Sequence, residues 1–170
     1  MGRKRTHLQG PRGEAFVQLI RGVPQDKILC LSIDVHKYYH RAMIVNGYYE
    51  IVVPSFHVDI FQSGLDGLCA LVDETVARTQ AKVLFVGMEP TGHYFDNLAR
   101  HLQQRYPHLR LVNGYAVKEN RNQRMLRAQK DDDIDMCSIA ELVLRNECFP
   151  YQPLGGDYLR LQEWVRYRAS

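Results

Sequence analysis

The sequence predicts an α/β domain built on a mixed sheet with helices on both faces. Three observations carry this. An apolar run of strand length at residues 28–35 precedes two further extended segments joined at Asn46-Gly47, a strong hairpin signal. Beyond residue 60 the apolar period changes from two to three or four. From there, helical stretches alternate with short apolar strands, the pattern of parallel crossovers. Antiparallel strands first and crossovers afterwards make a mixed sheet.

Length and composition fit one domain. The chain has 170 residues, and a domain takes roughly 150. A hydrophobic fraction of 45% and a charged fraction of 24% are ordinary for a globular chain and exclude a disordered, collagenous or coiled-coil one. No apolar run approaches the roughly 20 residues of a spanning helix. The basic start Met1-Gly2-Arg3-Lys4-Arg5 has no apolar h-region behind it. Four cysteines without CxxC spacing, at 30, 69, 137 and 148, read as free thiols in a reducing compartment.

The elements follow in order. Gly10, Pro11 and Gly13 break the N-terminal tail, and Gly22-Val23-Pro24 ends a short helix over 14–21, so residues 1–27 read as a basic arm. Strands are predicted at 28–35, 41–45 and 48–53, the last stopped by Pro54. Ser63 fits a capping box for a helix over 64–79, whose apolar positions include Leu65, Leu68, Val72 and Val76. A buried strand over 82–87 ends at Met88-Glu89-Pro90. Thr91 can cap a helix with the stripe Phe95, Leu98, Leu102 and Tyr106, stopped by Pro107. A strand at 109–112, a basic segment and a helix over 132–146 come next. Gly155-Gly156 then leads into a last amphipathic helix running to Ser170. This is the order of the ribonuclease H-like fold, although periodicity alone does not separate it from other α/β arrangements.

Net charge decides little, with 22 Lys+Arg against 19 Asp+Glu, but its distribution is informative. The arm holds Arg3, Lys4, Arg5, Arg12, Arg21 and Lys27. The segment 118–130 holds Lys118, Arg121, Arg124, Arg127 and Lys130 and runs straight into Asp131-Asp132-Asp133-Ile134-Asp135. A basic stripe entering an acidic knot suggests a phosphate-binding surface beside a metal-binding one. A solvated helix face is the alternative.

Asp34 and Glu89 both sit where an apolar strand ends, the place where ligands collect in α/β sheets. In the acidic cluster, Asp132 or Asp131 would share a helical face with Asp135, although acids also favour a helix N-terminus for its dipole alone. Carboxylates converging without histidine or thiol suit a hard ion, Mg²⁺ or Mn²⁺. A pair of such ions stabilises the attacking and leaving oxygens of a phosphoryl displacement.

Four blocks carry a resemblance: Ile33-Asp34-Val35-His36-Lys37, then Gly87-Met88-Glu89-Pro90-Thr91-Gly92-His93-Tyr94, then Leu111-Val112-Asn113 with Lys118, then Lys130-Asp131-Asp132-Asp133-Ile134-Asp135. Over about 28–170 the chain resembles the DEDD-type transposases of the insertion-sequence 110 group, similar to Piv-type DNA invertases and bridge-RNA-guided recombinases. The resemblance implies a RuvC-like domain whose Asp-Glu-Asp-Asp tetrad maps to Asp34, Glu89, Asp132 and Asp135, holding Mg²⁺ or Mn²⁺. The family's Lys-Thr-Asp-x-x-Asp block selects Asp132; Asp131 stands where Thr is usual, and Gly114 where Pro is common. It implies DNA cleavage and strand exchange in transposition, in a prokaryotic cytoplasm. DNA, a structured guide RNA and further copies of the chain would be partners.

The same resemblance divides the chain into the arm at 1–27, a catalytic domain at 28–150 and the start of a helical or coiled-coil segment at 151–170. A family member carries its serine nucleophile in a further C-terminal domain, so residues 1–170 alone are expected not to recombine DNA. Lys37, Thr91 and His93, with Lys118, Arg121, Arg124, Arg127 and Lys130, are the candidate nucleic-acid contacts. Tyr38, Tyr39, Tyr48 and Tyr49 suit cross-strand pairing as well as base stacking. Two other readings stand beside this one: a stand-alone junction-resolving nuclease, and a nucleic-acid-binding module without catalysis.

Overall fold

The computed structural model describes residues 7–124 and 133–153. Its elements are α1 (Gly10–Ile20), a 3-10 turn (Gln25–Lys27), β1 (Ile28–Val35), β2 (Tyr39–Asn46), β3 (Ile51–Asp59) and α2 (Gln62–Thr79). They continue with β4 (Val83–Met88), α3 (Tyr94–Gln103), β5 (Leu109–Leu111), α4 (Gly114–Arg124), α5 (Asp133–Leu144) and β6 (Phe149–Pro150). The sheet order is β3-β2-β1-β4-β5-β6. β2 runs antiparallel to both β1 and β3, while β4 and β5 continue parallel to β1. β6 closes antiparallel on β5. The order 3-2-1-4-5 with the second strand reversed is the ribonuclease H-like arrangement, a mixed sheet with helices on both faces.

Period-two alternation divides the core in two. Leu29, Leu31, Ile33 and Val35 of β1 pack with α2 (Leu68, Val72) and α3 (Leu98, Leu102). Ile28 and Cys30 point the other way, with Phe85, Phe16 of α1, Val117 of α4 and Met136 and Ile139 of α5. Every buried β1 side chain meets a helix, which is why the strand reads as a continuous apolar run.

Several boundaries depart from the sequence reading, for identifiable reasons. β3 starts at Ile51 and runs through Pro54 to Asp59; it is the sheet's edge, where a missing N–H is tolerated. The hairpin turn is wider than Asn46-Gly47: Asn46 Oδ1 accepts from the backbone N–H of Tyr48 and of Glu50, both at 3.0 Å, and Tyr49 adopts a φ of 64°. Ser63 and Thr91 do not cap. α2 begins a residue before Ser63 with no side-chain cap, and α3 begins after His93. Thr91 Oγ1 instead donates to the Val35 carbonyl at 3.3 Å. α1 starts at Gly10, with Pro11 in its first turn, and Phe16 stacks on Phe85 at 5.3 Å. The segment expected as an arm is therefore packed on the sheet from α1 onward.

The four cysteines are free. Burial pushes the Cys30 thiol far up and the Cys148 thiol to about 11, so neither is a nucleophile at neutral pH. Among the described residues no helix is long and apolar enough to cross a membrane. The predicted helix at 154–170, with Trp164, lies outside the described residues.

Candidate active site

Two strand ends and one helix start meet on the α5 side of the sheet. Ser32 lies on that face, where its buried Oγ donates to the Met136 carbonyl of α5 at 2.6 Å, and the next residue in alternation is Asp34. On β4, Gly87 faces α5 so closely that an added Cβ would stand 2.7 Å from Val143 Cγ2; the next position in alternation is Glu89. The parallel register pairs Ile33 with Met88, so Asp34 and Glu89 leave the sheet side by side. α5 brings Asp133 and Asp135 in its first turn.

The charges of these groups act on one another. Burial raises the Glu89 pKa above the usual carboxylate range, and the neighbouring Asp34 and Asp135 raise it further, while Arg121 works against them. Asp34 Oδ2 accepts from His36 Nε2 at 2.8 Å. Asp135 Oδ1 accepts from Arg121 Nη1 at 3.1 Å. The start of α4 lies hard against Glu89, since a Cβ at Gly114 would overlap its Oε1.

Two residues without a role in the sequence reading complete the surroundings. Arg41 is the cross-strand partner of Asp34; its Nη2 donates to Ser55 Oγ at 2.8 Å and stands 3.7 Å from Asp133 Oδ1. A hairpin turning tightly at Lys37-Tyr38 already implies the Asp34–Arg41 pairing, so this neighbour was readable from register. His40 Nδ1 accepts from the His36 backbone N–H at 3.3 Å, and the His36 ring stacks on Tyr39. This shell fixes the imidazole that holds Asp34.

The donor set suits a divalent ion by chemistry. It is all oxygen, it comes from three elements, and a cation placed among the carboxylates would offset the repulsion that Asp34 and Asp135 exert on Glu89. Among the described residues no three His, Cys, Asp or Glu side chains are grouped so as to hold a metal ion; Asp34 is paired with His36 and Asp135 with Arg121. Asp132, with Asp131, lies outside the described residues.

The candidate nucleic-acid contacts fall at different places. Lys37 stands 5.0 Å over the Tyr38 ring and lines a pocket of about 220 Å³ with His40, Tyr94 and Asn97. Thr91 and His93 are exposed before α3, and Lys118 is exposed on α4. Arg121 is paired with Asp135. Arg127, Lys130 and the Arg124 side chain lie outside what the structure describes. Tyr38, Tyr39, Tyr48 and Tyr49 are all exposed, and Tyr39 also stacks between His36 and His57.

Comparison with solved structures finds, among others, "T. thermophilus RuvC in complex with Holliday junction substrate", at 11% identity and a TM-score of 0.46, covering 72% of this chain and 99% of that one. No curated protein matches. The family model DEDD_Tnp_IS110, described as "Transposase", matches residues 31–170; the chain belongs to this family of DEDD-type transposases of the insertion-sequence 110 group.

Proposed function

We propose that residues 28–150 are the catalytic domain of a DNA transposase or site-specific recombinase that cleaves DNA phosphodiesters at an Asp-Glu-Asp-Asp site during movement of an insertion sequence. Asp34, Glu89, Asp132 and Asp135 are the proposed ligands of Mg²⁺ or Mn²⁺. The observation that carries the reading is that the β1–β4 register sets Asp34 beside Glu89 at the strand ends, on the face where α5 packs with Asp135 in its first turn; Asp34 and Asp135 both push the Glu89 pKa up. A fold gains no stability from three carboxylates facing one another in a half-buried place, so the cost points to function.

Divalent ions bound there would stabilise the attacking and leaving oxygens of an in-line displacement. The protein's own residues set the geometry. His36 orients Asp34, α4 holds Glu89 in place through the contact at Gly114, and the Ser32–Met136 bond fixes α5 against β1. The strand-exchange partners are proposed to be DNA and a structured guide RNA. Lys37, Thr91, His93 and the basic residues of 118–130 are the phosphate contacts, which give affinity its salt dependence. Self-association through 151–170 belongs to the same reading.

The test is excision of the insertion sequence in cells. Asp34→Asn or Asp135→Asn should reduce it by at least about 100-fold, more than loss of a group supporting a ligand would, with normal protein levels. Excision at the wild-type rate in either variant would contradict the proposal.

A further inference from the structure

Arg121 serves two opposite demands. Its place in the basic segment suits a nucleic-acid phosphate, yet its guanidinium is spent on Asp135, one of the proposed metal ligands, at 3.1 Å. It also offsets part of the repulsion that Asp34 and Asp135 impose on Glu89. In the absence of metal, Arg121 thus supplies positive charge where the carboxylates need it.

The pairing is exchangeable. Both side chains are 36% exposed, and an ion pair so wet is weak. The arginine is also poorly satisfied, since its Nε is buried with no hydrogen-bond partner among the described residues. A guanidinium fork matches two phosphate oxygens better than it matches one carboxylate oxygen. The helix beneath it is fixed. Asn120 on α4 donates to Glu141 of α5 at 3.0 Å and accepts from Arg145 at 3.1 Å, so exchange requires a side-chain swing and no helix movement.

Resting on the metal-site reading above, we propose that Arg121 is a positioning residue that changes partners. In the metal-free protein it is the counter-ion of Asp135; when a divalent ion takes Asp135, Arg121 is released onto a nucleic-acid phosphate. Metal and nucleic acid then strengthen each other's binding by the same factor, as linkage requires. The device keeps the carboxylates from repelling the nucleic acid and each other before the ion arrives.

The experiment measures Mn²⁺ binding to the 170-residue chain by electron paramagnetic resonance of the free ion. It is done with and without a fluorescein-labelled four-way DNA junction, whose own binding is read by anisotropy. Arg121→Gln should tighten Mn²⁺ binding without DNA by about two- to fivefold, the range a half-exposed ion pair can withhold. It should also shrink the factor by which the junction improves Mn²⁺ affinity. Arg121→Lys, which keeps the charge, should stay near wild type in the DNA-free measurement. Unchanged or weaker Mn²⁺ binding by Arg121→Gln without DNA would overturn the exchange. So would an equal loss of junction affinity with and without Mn²⁺, which marks a fixed phosphate contact. Asp34→Asn separates this failure from the deeper one: Mn²⁺ binding unaffected by that variant would remove the metal site itself.

Discussion

Glu89 holds a position that disfavours its charge. The folded protein raises its pKa by burial and by the fields of Asp34 and Asp135, so the native state binds that proton more tightly than the unfolded chain does. The resulting stability is fully present below the ordinary carboxylate pKa of about 4.3. It is lost as the pH rises through the higher folded value. Glu89→Gln removes the group, so in metal-free buffer at pH 7 the variant should melt higher than wild type. At pH 4 the two proteins should melt together. A variant that melts lower at pH 7 would show that Glu89 is not crowded by the other acids. Asp34 and Glu89 were legible in the sequence because each is an acid ending an apolar strand. Gly114 and Arg121 were not legible as neighbours of these acids, because their proximity arises from the packing of α4, which no local spacing encodes.

The site's geometry depends on how closely α5 sits on the sheet. Gly87 leaves room for that approach: a Cβ there would stand 2.7 Å from Val143 Cγ2 and 3.1 Å from Ile139 Cγ2. Gly87→Ala should therefore cost about 1–3 kcal/mol through overpacking, read as a lower urea midpoint. It should also weaken Mn²⁺ binding by moving Asp135 away from Asp34. A lower midpoint with unchanged Mn²⁺ affinity would show that α5 position and site geometry are independent. Element types were legible because helix and strand periods differ clearly on either side of residue 60. Element ends were less so. Pro54 reads as a strand stop, yet β3 is an edge strand and passes through it. Thr91 reads as a cap, yet its hydroxyl serves the Val35 carbonyl and ties the Glu89 loop to the end of β1.

At the scale of the molecule, one sheet carries the whole arrangement. Three antiparallel strands place Asp34 centrally and bring Arg41 across from it, a crossover returns β4 in parallel beside β1, and α5 packs over both. The mixed sheet, with hairpin-linked strands first and crossovers afterwards, was legible in the sequence, whereas the strand order, the Asp34–Arg41 pairing and the place of α5 come from the structure. The family match over 31–170 agrees with the four blocks that carry the resemblance. The proposed function requires Asp34, Glu89, Asp132 and Asp135 to share divalent ions. The most direct measurement is an anomalous difference map from crystals of the protein with a four-way DNA junction, grown in Mn²⁺. A peak is expected in contact with a carboxylate oxygen of Asp34 and with those of at least two of Glu89, Asp132 and Asp135. A junction-bound crystal with no such peak, or with the Asp132 and Asp135 carboxylates turned away from Asp34, would contradict it.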